Sequence, residues 1–293
     1  MEPFRLPSDT HLGPVTLQVS DLERALGFYR DLLGMREIRN GDGTCGLSSN
    51  GTAPALLVLS EREGARPKPH GTTGLYHVAI RLPERYWLGK VIERLYTNQY
   101  PLQGAADHGV SEALYLSDMD GNGLEIYADR PWNLWSNNQG IIHMVTEPLN
   151  VRGLREEASA HPGEWNGLPE GTDVGHIHLQ VSDLGQAEKY YSEVLGFDVT
   201  QRGYSGALFF SAGKYHHHIG TNTWTSQNGR PPPEEAVGLL VYTIVVPDRQ
   251  VILILYKRLE EAGISVLEKE AEDGGEYLLT SDYDEIRIEI TTE

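Results

Sequence analysis

An internal repeat constrains the fold of this 293-residue chain more than any other feature of its sequence. Residues 13–35 (GPVTLQVSDLERALGFYRDLLGM) and residues 175–197 (GHIHLQVSDLGQAEKYYSEVLGF) are identical at 11 of 23 positions. Self-similarity at a fixed offset indicates that a chain is built from copies of one supersecondary unit. The fold is therefore expected to contain equivalent units that pack against one another.

Each copy of this repeat has the pattern of a strand that leads into a helix. In the first copy, Val15, Leu17 and Val19 alternate with polar residues, as in a half-buried strand. Ser20-x-x-Glu23 is the pattern of a helix-capping box, and Gly34 is a typical residue for the end of that helix.

A fainter repeat divides the chain further. Residues 74–82 (GLYHVAIRL) match residues 238–246 (GLLVYTIVV), and a proline follows each segment. Short strand-like runs separated by Gly, Asn and Asp turns come after each strand–helix start. The sequence thus predicts an α+β fold of four βαβββ units, at residues 11–62, 72–130, 173–226 and 236–293. The first two units make up a segment 1–135 and the last two a segment 172–293, joined by a connector at 136–171.

The charge and cysteine content exclude several classes of protein. The net charge is −18, from 42 acidic and 24 basic residues, whereas nucleic acids and anionic membranes require a basic face. The single cysteine, Cys45, allows neither an internal disulfide nor a thiolate metal site. No apolar leader or run of ~18 apolar residues is visible in the sequence. We therefore expect a soluble cytoplasmic protein that binds neither nucleic acid nor membrane.

One segment carries a recognisable signature. Residues 108–125 (HGVSEALYLSDMDGNGLE) resemble the ring-cleavage signature of extradiol dioxygenases, although Met119 replaces the usual proline. The residues that match the signature are His108, Leu114, Tyr115, Asp118, Gly121 and Glu125. Together with the repeated βαβββ units, this segment resembles the vicinal-oxygen-chelate superfamily of glyoxalases, bleomycin-resistance proteins and extradiol dioxygenases. The four-unit length is similar to the extradiol branch, which acts on catechols.

The resemblance implies where a metal would bind. Family ligands lie on the first and last strands of a unit, and the first-strand positions here are Pro14, His77, His176 and Val241. Only units two and three therefore offer a histidine, and Glu125 on the last strand of unit two completes a set of three. This set implies that units two and three pair into a metal-bearing incomplete barrel, while units one and four form the other barrel.

The ligand set His77, Glu125 and His176 favours a particular chemistry. Two imidazoles and one carboxylate on one face of Fe(II) leave positions open for a diol and for dioxygen. The resemblance implies a catechol 2,3-dioxygenase activity, in which catechol or a substituted catechol reacts with O2 to give 2-hydroxymuconate semialdehyde in the catabolism of aromatic hydrocarbons. It also implies a homo-oligomer and allows Mn(II) in place of iron.

Two other functions stay open. The first is a metal-dependent lyase or isomerase of the glyoxalase type, which would require a fourth acidic ligand. The second is a non-catalytic protein that binds a small aromatic molecule.

Extradiol cleavage also requires a proton acceptor and donor, and a neutral histidine can serve as both. If the run from His216 to His218 were a strand, His216 and His218 would share one face. We expect His218 to face the cavity as the first candidate, with His216 as the second. The signature implies that His108 and Tyr115 hydrogen-bond the substrate, and His178 is expected to line the cavity beside His176.

Overall fold

The computed structural model describes residues 4–39, 43–138, 141–270 and 276–292. In these described ranges, two large mixed sheets of eight and nine strands contain most of the regular backbone, and five α-helices accompany them. The predicted α+β class is confirmed. Within the described residues, no helix is long and apolar enough to span a membrane.

The two N-terminal units each contain four strands and one principal helix. The elements of unit one are β1 (His11–Val19), α1 (Leu22–Leu26), a π-helical turn (Gly27–Leu32), β2 (Arg36–Arg39), β3 (Thr44–Ser48) and β4 (Leu57–Glu61). Those of unit two are β5 (Gly74–Leu82), α2 (Arg85–Thr97), β6 (Gly104–Asp107), β7 (Ser111–Ser117) and β8 (Gly123–Asp129).

A 3-10 turn (Trp132–Leu134) follows unit two, and the connector after it has short elements of its own. These are β9 (Asn137–Asn138), β10 (Ile141–Ile142), β11 (Glu147–Pro148) and α3 (Val151–Ala160). Helix α3 lies so close to α2 that a Cβ on Gly89 would come within 2.2 Å of the Leu154 carbonyl oxygen. Glycine is therefore required at this crossing.

The two C-terminal units repeat the same order. Unit three comprises β12 (Asp173–Gln180), α4 (Leu184–Glu188), a π-helical turn (Lys189–Val194), β13 (Asp198–Gln201), β14 (Ala207–Ser211) and β15 (Ile219–Asn222). Unit four comprises β16 (Gly238–Val245), α5 (Arg249–Glu261), β17 (Val266–Glu270), β18 (Glu276–Ser281) and β19 (Arg287–Thr291).

The units pair in a crossed manner. The nine-stranded sheet has the order β11-β6-β7-β8-β5-β12-β15-β14-β13, so it joins unit two to unit three. The eight-stranded sheet has the order β17-β18-β19-β16-β1-β4-β3-β2, so it joins unit four to unit one. In both sheets the first strands of the two units pair antiparallel, β5 with β12 and β1 with β16.

Strand alternation separates the core from the site. On β12, the side chains of Ile177 and Leu179 belong to the hydrophobic core, whereas His176 and His178 lie on the opposite face. The polar face of the nine-stranded sheet is therefore available for chemistry.

The start of α1 differs from the expectation. Its cap is Asp21, whose carboxylate accepts from the Arg24 backbone N–H at 2.9 Å, and not Ser20. The Ser20 hydroxyl instead donates to the Asp120 carboxylate of unit two at 2.6 Å. The side chain that the sequence pattern predicted as the helix cap is therefore engaged in a tertiary contact. The predicted stop is confirmed, because Gly34 has a φ of +75° just after the helix.

Candidate active site

Three neighbouring strands bring His77, Glu125 and His176 together. The central strand is β5, and its residue Ala79 lies opposite Glu125 on β8 and opposite His176 on β12. His77 is two residues before Ala79 and so shares its face. The small side chain of Ala79 leaves room for the two flanking groups to approach the His77 imidazole.

The polar atoms of the three side chains converge. Glu125 Oε2 lies 3.0 Å from His77 Nε2 and 3.2 Å from His176 Nε2. One ligand atom from each residue fits within a mutual distance of 4.8 Å. All three side chains are buried, and His77 Nε2 has no hydrogen-bond partner despite its nearness to Glu125. A buried polar atom without a hydrogen-bond partner costs folding free energy, and a cation bound at this position would remove that cost.

The electrostatics favour the protonation states that bind a metal. Burial opposes ionisation of Glu125, but the adjacent His176 and His77 imidazoles outweigh it and hold the pKa of the carboxyl well below its usual range. Burial lowers the pKa of His176 to about 4, against the pull of Glu125. An ionised carboxylate beside a neutral imidazole is what coordination requires.

The three residues open into a cavity of about 330 Å³. A volume of this size is at the lower end of small-molecule sites. Aromatic and apolar side chains suited to a flat ring line part of the cavity, namely Tyr76, Met144, Tyr204, Phe209 and Trp224. Four further lining side chains are polar, namely His108, Tyr115, His178 and His217.

His108 and Tyr115 form a hydrogen-bonded pair in this cavity. His108 Nδ1 lies 2.7 Å from the Val145 carbonyl oxygen, so this nitrogen is the donor. His108 Nε2 then accepts from the Tyr115 hydroxyl, 2.7 Å away. The oxygen of Tyr115 keeps a lone pair that can face a ligand. Burial and the nearby Glu125 raise the pKa of Tyr115 well above its usual value, so it stays protonated.

His178 lines the cavity as expected from its position on β12. Its ring centroid is 5.0 Å from that of His77, and its Nε2 is buried without a hydrogen-bond partner.

The histidine run is oriented differently from the expectation. His217 lines the cavity, whereas His216 and His218 are absent from its described lining. Strand β15 begins only at Ile219, so the alternation that we assumed does not extend to residues 216–218. The expected inward orientation of His218 is therefore wrong.

His218 and His216 have other neighbours. His218 Nδ1 lies 3.1 Å from Ser211 Oγ and accepts from the Ala212 backbone N–H at 3.2 Å. Burial lowers the pKa of His218 to about 3. His216 contacts His217 on one side and Asp129 on the other. The catalytic roles predicted for His218 and His216 stay predictions.

Two residues of this region were missed by the sequence reasoning. His217 was assigned to the wrong face, and Asp129 was not considered. The sequence did contain a signal for Asp129, because Tyr127 and Asp129 follow Glu125 at intervals of two residues on one strand and so share its face.

Comparisons with known proteins identify relatives of this chain. A family model described as the Glyoxalase/Bleomycin resistance protein/Dioxygenase superfamily matches residues 11–126 and 173–290. The catechol-2,3-dioxygenase of Bacillus subtilis (strain 168) is 44% identical over 266 residues, which cover 89% of this chain and 92% of that protein. The biphenyl-2,3-diol 1,2-dioxygenase 2 of Rhodococcus globerulus is 26% identical over 118 residues, covering 39% of this chain and 60% of that protein.

Solved structures show the same fold at low sequence identity. A putative dioxygenase from Bacillus subtilis subsp. subtilis str. 168 has a TM-score of 0.68 at 15% identity, with 99% of this chain and 86% of that chain covered. Glyoxalase I from Zea mays has a TM-score of 0.60 at 15% identity, with coverages of 97% and 92%.

Proposed function

Because the chain belongs to the Glyoxalase/Bleomycin resistance protein/Dioxygenase superfamily, we propose that it is an Fe(II)-dependent extradiol dioxygenase. Its substrate would be catechol or a substituted catechol, which reacts with one O2 to give a 2-hydroxymuconate semialdehyde. The observation that carries the proposal is the convergence of His77, Glu125 and His176 at one end of a buried, aromatic-walled cavity. The 44% identity to a catechol-2,3-dioxygenase supports it.

The donor set determines which metal chemistry suits the site. Two neutral imidazoles and one carboxylate are the facial set of non-haem Fe(II) oxygenases. A bound Fe(II) would supply open positions where the ring diol and dioxygen meet, together with a route for electrons between them. Mn(II), which prefers similar ligands, is the alternative ion.

The remaining side chains bind and orient the substrate. The rings of Tyr76, Phe209 and Trp224 can pack against the aromatic face, and the hydroxyl oxygen of Tyr115 can accept a hydrogen bond from a substrate hydroxyl. Because His108 holds the Tyr115 hydroxyl hydrogen, the lone pair of that oxygen faces a fixed direction. Such pre-oriented groups accelerate a reaction without reorganising during it.

We propose His217 as the group that exchanges a proton with the substrate. It is the one member of the run at residues 216–218 that lines the described part of the cavity. Its ring centroid lies 4.1 Å from that of His176, so it is adjacent to the proposed metal position. Burial and the neighbouring histidines keep the pKa of His217 well below its usual value, and the ring is therefore neutral before it receives a proton.

The glyoxalase-type alternative has less support. That chemistry would require a fourth acidic ligand, and among the described residues the ligand group contains only three members. Strand β15, the counterpart of β8 in unit three, carries no carboxylate. Assembly into a homo-oligomer and a cytoplasmic location stay predictions of the sequence.

The proposal is tested by oxygen uptake. Wild type loaded with Fe(II) under anaerobic conditions is mixed with catechol and air-saturated buffer, beside His176→Ala and a matched control, His70→Ala, at an exposed histidine outside the cavity. We expect uptake of one O2 per catechol and a yellow product from wild type and control, and none from His176→Ala. No uptake by the iron-loaded wild type would refute the dioxygenase activity, and uptake by His176→Ala would refute the proposed metal position.

A further inference from the structure

The cavity beside the proposed metal ligands has room for more than one aromatic ring. Its volume is about 330 Å³, whereas an apolar cavity of ~150 Å³ is large enough to bind benzene. A bound catechol ring would therefore leave roughly as much space again. That space holds either ordered water, which needs about two to four polar partners, or a further part of the substrate. The side chains that line it decide between the two.

The cavity extends away from the proposed ligands along a series of ring contacts. The ring centroid of His178 lies 5.0 Å from that of His77 and 5.6 Å from that of Phe209. The centroid of Phe209 lies in turn 5.6 Å from that of Tyr204. All four residues line the cavity. It therefore has a metal end at His77 and a far end that begins at Phe209.

The far end of the cavity is apolar and has no positive charge. Val110, Met144 and Phe209 line it and belong to one buried hydrophobic cluster that is separate from the main core. The described lining of the cavity contains no lysine or arginine, and its one acidic residue is Glu125 at the metal end. An apolar group gains free energy by burial here, whereas a carboxylate would lose its hydration without meeting a cation.

We propose that the substrate is a catechol with an uncharged, apolar substituent of up to about the size of a second six-membered ring, and that the cavity rejects catechols with a carboxylate substituent. The diol lies at the metal end, and the substituent lies against Val110, Met144 and Phe209. These three side chains determine specificity. The inference rests on the proposed dioxygenase function, which requires the diol to reach the metal.

The first test measures binding without turnover, by calorimetry of Zn(II)-loaded wild type in the absence of oxygen. The tighter-binding isomer of 3-phenylcatechol and 4-phenylcatechol should bind at least ~10-fold more tightly than catechol, since one methylene in an apolar pocket is already worth ~10–200-fold. The anion 3,4-dihydroxybenzoate should bind at least ~100-fold more weakly than its uncharged methyl ester. Phenylcatechols that bind no better than catechol, or an acid that binds as well as its ester, would overturn the proposal.

The second test fills the far end of the cavity. In Met144→Trp the larger side chain occupies the space of the substituent, so the ratio of the dissociation constant of catechol to that of phenylcatechol should fall towards 1. The matched control is Ile141→Trp, at a residue of the same connector that is 40% exposed and does not line the cavity. The control should keep the wild-type ratio. A wild-type ratio in Met144→Trp would overturn the placement of the substituent, and if this variant fails to fold, the wild-type binding comparison decides.

Oxygen uptake by the Fe(II)-loaded wild type separates this inference from the proposed function. Uptake with catechol, combined with phenylcatechols that bind no better than catechol, would overturn the inference and leave the dioxygenase function intact. Tight binding of a phenylcatechol and rejection of 3,4-dihydroxybenzoate, combined with no oxygen uptake on any catechol, would refute the dioxygenase function and leave the assigned class of ligand intact.

Discussion

Replacing Asp282 with asparagine should remove a pH-dependent loss of stability. Asp282 is 7% exposed and lies in the turn between β18 and β19. Its carboxylate accepts from the Tyr191 hydroxyl at 2.7 Å and from the backbone N–H groups of Asp284 and Ile286 at 2.9 and 3.0 Å. Burial outweighs these donors and raises the pKa of Asp282 to about 7.

The internal repeat explains why Asp282 lacks a further donor. Its counterpart in unit two is Asp118, which accepts from the Tyr29 hydroxyl and also from the Asn122 side-chain amide at 2.9 Å. Isoleucine stands at the Asn122 position of unit four, namely Ile286. The carboxylate of Asp282 thus loses a side-chain hydrogen bond that its counterpart has.

The sign and size of the effect follow from linkage. The carboxyl titrates near its ordinary value of 3.8 when the chain is unfolded and at about 7 when it is folded. Its contribution to stability is therefore full below pH 3.8, falls as the pH rises, and is lost above pH 7. At 1.36 kcal/mol per pKa unit the whole loss is about 4 kcal/mol, of which about 2 kcal/mol falls between pH 5.5 and pH 8.5.

The assay is urea unfolding of wild type and Asp282→Asn, followed by circular dichroism at pH 5.5 and pH 8.5. Asparagine cannot ionise, so the free energy of unfolding of wild type minus that of the variant should fall by about 2 kcal/mol between the two pH values. The two proteins share all other titrating groups, so the contributions of those groups to the free energy of unfolding cancel in this difference. A difference that stays constant within ~0.5 kcal/mol would refute the reasoning about the buried carboxyl.

Three further substitutions test the site. Glu125→Gln removes the one negatively charged ligand and should weaken iron binding by more than ~100-fold, since the loss of a residue that hydrogen-bonds a metal ligand already costs ~10–100-fold in affinity. Metal analysis after dialysis measures the bound iron. One iron per chain in the variant would contradict the ligand assignment. Tyr115→Phe should lower kcat by ~10²-fold with iron content intact, as measured with an oxygen electrode, and an unchanged kcat would exclude a role for its hydroxyl. Gly175→Ala would place a Cβ 1.8 Å from the Tyr127 hydroxyl oxygen. The free energy of unfolding in urea should therefore fall by ~1–3 kcal/mol. An unchanged urea midpoint would show that Tyr127 moves aside freely.

The metal-ligand candidates came from the resemblance to the family combined with the internal repeat, and they stay a prediction. His77 and His176 occupy equivalent positions of repeated first strands, and the fold brings those strands side by side as β5 and β12. The family membership inferred from the signature and the repeats is confirmed by a family model that matches most of the chain. The crossed pairing of units, which the family's ligand positions implied, is confirmed by the strand order of the two sheets.

The orientation of the histidine run at residues 216–218 could not be predicted in the same way. Residues 216–218 precede β15 in irregular backbone, where no periodicity specifies a face, and His217 rather than His218 meets the cavity. Asp129 and His216 are 87 residues apart in the chain, so their contact is visible only after β8 and unit three have packed together. The cap of α1 was misassigned for a similar reason, since a distant carboxylate, Asp120, takes the Ser20 hydroxyl.

We propose that His77, Glu125 and His176 hold an iron at which a catechol ring is opened next to its diol. The most direct measurement is the identity of the product that Fe(II)-loaded wild type forms from catechol under ¹⁸O2, determined by mass spectrometry. We expect 2-hydroxymuconate semialdehyde with ¹⁸O in its new carboxylate group. A dicarboxylic acid from cleavage between the two hydroxyl-bearing carbons, or a product without ¹⁸O, would contradict it.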